Sequence, residues 1–121
     1  RAWFGGLALS RDLKSPLKEV AYDYLNWWLE GWAGSLMARQ GLYISNPLQA
    51  RKFLKASEWD YWYMGKPAAE VLYGVDNQPL IEQGSVREGG SYIERMGHIG
   101  VWNSVMDEHN YLVRKWNDLV S

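Results

Sequence analysis

The titratable side chains of this 121-residue chain offer little for catalysis. Cysteine is absent, so a thiol nucleophile, a thiolate metal site and a disulfide are all excluded. Neither a G-x-S-x-G turn nor an H-E-x-x-H pair occurs. Asp107, Glu108 and His109 are consecutive, and neighbours on a helix point to different faces. Glu94 and His98 stand four apart and could meet on a helix, but two ligands do not fill a zinc site, so no metal or other cofactor is expected. Gly5-Gly6 and Gly89-Gly90 lack the spacing, flanking strand and basic partner of a phosphate cradle. Arg51, Lys52 and Lys55 form a small basic cluster that reads as the solvated face of a helix. What remains is aromatic. Trp3-Phe4 end a strand-like run, Tyr43 follows a helix-stopping glycine, and Trp102-Asn103 are expected early in the last helix. Ring faces with an amide beside them suit a small amine-bearing or polyol ligand.

These residues must be positioned by a mainly helical chain. The apolar run 2–9 (AWFGGLAL) suits one short strand. Ser15-Pro16 supplies a cap and a first-turn proline. From there Leu17, Val20, Ala21, Tyr24, Leu25 and Trp28 keep one helical stripe. Gly31 breaks that helix, a second runs to about Gln40, and Gly41 stops it, which makes an αα-hairpin. Asn46-Pro47 opens a helix through about Leu54, and Ser57 opens another carrying Trp59, Trp62 and Tyr63, with a break at Lys66-Pro67. Val71-Leu72 and Leu80-Ile81 flank a turn-rich stretch and allow a β-hairpin. Ser91 and Glu94 make a capping box. Trp102, Val105, Met106, His109, Leu112, Trp116 and Leu119 then predict a C-terminal helix from about Ile99, expected to be the longest element.

Composition narrows the function classes. The net charge of −1 gives no electrostatic footprint for nucleic acid or an anionic membrane. Eight Trp and eight Tyr are a heavy load, to be spent on packing and, at some positions, on a ligand cleft. No run is long enough to span a membrane, and no signal peptide is evident. The start at Arg1, directly before an apolar run, reads as a cut from something longer.

Segments 19–47 (EVAYDYLNWWLEGWAGSLMARQGLYISNP), 58–67 (EWDYWYMGKP) and 89–118 (GGSYIERMGHIGVWNSVMDEHNYLVRKWND) together cover most of the chain. In them it resembles the C-terminal part of bacterial extracellular solute-binding proteins of the spermidine/putrescine ABC-transporter type. The resemblance implies a fragment of an α/β, two-lobed, type II periplasmic-binding-protein-like parent. Residues 1–45 would belong to one lobe and 46–121 to the second, with Ile44–Asn46 a hinge crossing. It implies no enzyme activity, a small polyamine-like or related solute bound between lobes, an ABC permease as partner, and a periplasmic location for a secreted or lipid-anchored parent. The ligand residues it implies are Trp3, Phe4, Tyr43 and Asn103. Gly5 stands where polyamine receptors of this type carry an Asp for a ligand ammonium, which argues against a cationic ligand. A fragment of such a receptor would expose apolar faces and self-associate. The alternative from another class is a small helical interaction module whose exposed aromatics meet a partner chain.

Overall fold

The computed structural model describes residues 2–103 and 108–121. Two compact units emerge, one of residues 1–6 and 98–121 and the other Leu7–Gly97. The lobe boundary expected at 45/46 concerns the parent and falls inside the second unit.

Within the Leu7–Gly97 unit the first helix, α1, spans Leu17–Leu29. Ser15 does not cap it as expected. Backbone bonds from Lys18 to Lys14 and from Glu19 to Pro16 serve the helix entry, and the Ser15 hydroxyl lies 3.3 Å from Glu19 Oε1 instead. No residue of α1 is fully buried: Leu17, Val20 and Tyr24 of its apolar stripe are exposed, and Ala21, Leu25 and Trp28 are half-buried. Gly31, at φ +109°, then turns the chain into α2 (Trp32–Ala38), which packs on α1 as the expected αα-hairpin.

Glycine is required at position 31. A Cβ there would lie 2.4 Å from the Gln49 carbonyl carbon, in a backbone conformation that side chains resist. At the far end of α2, Leu42 N–H donates to Met37 O and Gly41 N–H to Ala38 O, with Gly41 at φ +80°. That is the Schellman arrangement, which occupies the orphan carbonyls of a helix end.

Helix α3 (Pro47–Ala50) runs into a 3-10 turn at Arg51–Phe53. Asn46 caps it by accepting from Gln49 N–H, and its Nδ2 donates to Leu29 O at 3.1 Å. One amide therefore fixes both the start of α3 and the end of α1. Helix α4 (Ala56–Trp62) begins one residue before Ser57. Glu58 Oε2 accepts the Lys55 N–H at 2.7 Å, so the capping falls to Glu58. The Ser57 hydroxyl meets Glu70 Oε1 at 2.6 Å instead.

The hairpin appears as β2 (Leu72–Tyr73) and β3 (Pro79–Ile81), antiparallel, with Leu72 opposite Ile81 and an irregularity after it. Its turn uses Asn77 at φ +58°, a left-handed position that Asn tolerates. Helix α5 (Tyr92–Gly97) starts on the expected capping box, with Ser91 N–H to Glu94 Oε2 at 2.7 Å and Glu94 N–H to Ser91 Oγ at 3.3 Å. The core of this unit joins Ala38, Tyr61, Trp62, Tyr63, Ala68 and Leu72, with Ile44, Leu54, Trp59, Ile81 and Tyr92 against them.

In the other unit, β1 (Ala2–Trp3) pairs in parallel with β4 (Trp102–Asn103). The strand expected over 2–9 is thus only two residues long, and the Gly5-Gly6 segment beyond it is irregular. Trp102-Asn103 were expected on a helix and lie on a strand, because pairing with the chain's start outweighs local helical spacing. Helix α6 (His109–Val120) follows, one residue shorter than α1 rather than the longest element. Val105 and Met106, expected on it, lie outside the described residues. No residue of α6 is buried, and Trp116 and Leu119 are 63% and 77% exposed.

Replacing Gly31 by alanine should destabilise the protein by about 2–4 kcal/mol, through left-handed strain and the clash with Gln49 together. Urea unfolding of the variant beside the parent chain measures it. A loss under half a unit would mean that α3 can move away at little cost.

Candidate functional site

The sequence-derived ligand residues fall in both units. On β1 and just after it stand Trp3 and Phe4, both largely exposed. The parallel register sets Trp3 opposite Asn103 and Ala2 opposite Trp102. Ala2 N–H donates to Val101 O at 2.9 Å, which continues the pairing. Phe4 meets Trp102 edge-on, with ring centroids 6.4 Å apart. Three of the four expected residues are therefore gathered by one strand pair, and Trp102 joins them.

Tyr43 lies in the Leu7–Gly97 unit, two residues beyond the Gly41 helix stop. Its ring packs edge-on against Tyr92 at 5.3 Å, and Tyr92 in turn meets Tyr63 at 5.3 Å. Tyr63 stacks on Trp59 at 4.3 Å from its other side. Tyr43, Tyr63 and Tyr92, with Gly41, Trp62 and Arg95, line a cavity of about 10 Å³. Room of that size takes one water-sized group.

Two guanidiniums hold the notch together. Arg95 donates through Nη2 to Trp62 O at 2.6 Å and through Nη1 to Gly90 O, and its Cζ lies 5.9 Å from the Tyr43 ring centre. Arg87 donates through Nη2 to Gly41 O at 3.2 Å, and its Cζ sits 4.5 Å from the centre of the Trp62 ring. Tyr92 N–H closes the arrangement on Tyr63 O at 2.8 Å. Carbonyls at the ends of α2 and α4 are thereby satisfied by arginines from the 87–95 segment, a use of long cations at helix C-termini that the macrodipole favours.

The electrostatics of the notch are unusual. Among the described residues neither Arg87 nor Arg95 lies in an ion pair. Burial, and then Arg95, push Arg87 below its ordinary value, against the favourable influence of Tyr61, Tyr43 and Tyr63. Tyr63 is 6% exposed, and its hydroxyl has no hydrogen-bond partner among the described residues. Burial first and Tyr92 second push its pKa up to about 12, while Arg95 and Arg87 pull the other way.

Sequence reading found Tyr43 but missed Arg87, Arg95, Tyr63 and Tyr92 as its neighbours. No local signal marks them, since each is an ordinary residue of a helix or loop until the chain folds back. Among the described residues no three His, Asp or Glu gather where they could hold a metal ion. No protein-family model, curated protein or solved structure matches the chain.

The Tyr63 proton is held more tightly in the folded state, so this residue's contribution is complete below pH 10 and is lost as pH rises toward about 12. The loss should reach about 2–3 kcal/mol over that window. Denaturant titrations at pH 9 and pH 11.5 should show a steeper fall for the parent chain than for Tyr63→Phe. Parallel curves would contradict the assignment.

Proposed function

We propose that this chain forms part of a solute receptor for an ABC importer, in which a small molecule is bound between two lobes and handed to a permease. The parent would be periplasmic, secreted or lipid-anchored, and the reading involves no covalent chemistry. It starts from the sequence resemblance over 19–47, 58–67 and 89–118. The observation that carries it further is the β1–β4 register, which sets Trp3 directly opposite Asn103 and brings Phe4 to Trp102. Residues named as candidate ligand contacts from the sequence are thereby neighbours from opposite ends of the chain. A parallel pair of two residues each is also too small to stand alone, since parallel strands are normally covered on both faces. It fits the edge of a larger sheet.

A second reading is favoured by the outward faces of α1 and α6. Leu17, Val20 and Tyr24 on one helix and Leu112, Trp116 and Leu119 on the other are all exposed. Such faces suit a helical interaction module, or self-association of this chain.

The protein encoded by the complete native reading frame should be stabilised against heat by one member of a panel of polyamines, amino acids, sugars and small carboxylates. Trp3→Ala should then weaken that ligand roughly three- to thirtyfold, the usual worth of a desolvated ring contact. No response across the panel would remove the receptor reading. For the second reading, sedimentation of the 121-residue chain should show concentration-dependent association that Trp116→Glu and Leu119→Glu together abolish. A monomer at high concentration would dismiss it.

A further inference from the structure

In and beside the notch between Tyr43, Tyr63 and Tyr92, three buried polar groups stay unmatched among the described residues. Arg87 Nε, Arg95 Nε and the Tyr63 hydroxyl are all buried and, among the described residues, without a hydrogen-bond partner. Each can donate, and neither arginine nitrogen can accept. Leaving several such groups unmatched inside a protein is costly, so an arrangement of this kind calls for a complement. The two guanidiniums also bring like charge together with no ion-pair partner among the described residues.

We propose that this notch is a carboxylate-binding site, in which the carboxylate of a small organic acid accepts hydrogen bonds from the Tyr63 hydroxyl and the guanidinium of Arg95, with Arg87 adding charge beside them. The cavity of about 10 Å³ admits one oxygen atom. Its walls are the rings of Tyr43, Tyr63 and Tyr92, with Trp62 beneath Arg87. A flat group that inserts one oxygen is narrower than a tetrahedral phosphate, whose three remaining oxygens need more room than a notch of this size offers.

The site is held ready before any ligand arrives. Arg95 is fixed by Trp62 O and Gly90 O, and Arg87 by Gly41 O, so neither guanidinium has to be ordered on binding. Gly41 is part of that geometry. At φ +80° a Cβ would lie 2.8 Å from the Trp62 ring and 3.0 Å from Arg87 Nη1, so only glycine lets the arginine settle there. A merely structural pair of arginines would need these carbonyl bonds, but it would not need a buried hydroxyl set among them without a partner.

Tyr43 belongs both to this site and to the receptor reading, so the inference deepens that reading while resting on the notch alone. The two fail separately. The receptor reading is decided by the panel on the native-length protein, and the notch by simple anions on this chain.

The test is thermal unfolding of the 121-residue chain in sodium acetate, sodium phosphate and sodium chloride at matched ionic strength and pH 7. Acetate should raise Tm saturably and above chloride, with phosphate close to chloride. Tyr63→Phe keeps the ring and removes only the oxygen. Without acetate it should unfold at the same Tm or higher, because an unmatched buried hydroxyl is gone, and its acetate affinity should fall about tenfold. Arg95→Gln is the second variant and should abolish the acetate response; if it does not fold, Tyr63→Phe decides alone. An acetate response no larger than that of chloride overturns the proposal. So does a Tyr63→Phe protein that binds acetate like the parent, and a stronger response to phosphate would replace the carboxylate with a tetrahedral oxyanion.

Discussion

The larger unit depends on one buried carboxylate. Glu58 is 6% exposed, and three segments converge on it. Its Oε2 takes the Lys55 N–H that starts α4, while its Oε1 lies 3.0 Å from Arg39 Nε at the end of α2. That contact is not an aligned hydrogen bond, so the attraction is chiefly Coulombic. The same arginine reaches across through Nη2 to Phe53 O, the last carbonyl of the 3-10 turn. A charge taken out of water has to be compensated this fully or it is better replaced by a hydrocarbon. With Glu58 held, α2, the 3-10 turn and α4 have only one arrangement, and Trp62 and Tyr63 at the end of α4 are delivered to the core.

Arginine does the same work a second time on the other side of α4. Arg95 and Arg87 tie the 87–95 segment to Trp62 O and Gly41 O, so the ends of α2 and α4 are pinned from both directions. The difference lies in charge. Arg39 has a carboxylate and the other two have none among the described residues, which turns a structural clamp into a place with affinity for an anion. In contrast, neither α1 nor α6 buries a residue fully, and α1 is held by its packing on α2 and by the Asn46 amide at Leu29 O. Their apolar sides contribute no buried residue to either core. Two helices of 13 and 12 residues are short to be stable without tertiary contacts, so both are set up to gain by packing against further polypeptide.

Much of the secondary structure was legible because its determinants are local. Gly31 and Gly41 end helices because only glycine relaxes into φ values near +100° and +80°. Asn46-Pro47 and Ser91 with Glu94 start helices because their side chains reach N–H groups three residues on. The hairpin followed from turn residues between two short apolar pairs. Of the site, Tyr43 was legible from its place after a helix-stopping glycine and from the resemblance, and the arginines around it not at all. Trp102 was misplaced onto a helix for a related reason. Its spacing to later apolar residues is helical, while the strand it joins is made by Ala2 and Trp3 at the other end of the chain.

The amino-acid order by itself determined the mainly helical character, the places where helices begin and end, the absence of thiol chemistry and the aromatic load. Those properties depend on interactions within about four residues or on composition alone. Only the tertiary structure decided which residues came together: Trp3 opposite Asn103, Glu58 with Arg39, and Arg95 with the carbonyls of Trp62 and Gly90. It also decided which polar groups lost water without gaining a partner. Both outcomes depend on loop closure and burial, which belong to the folded chain as a whole and to no window of its sequence.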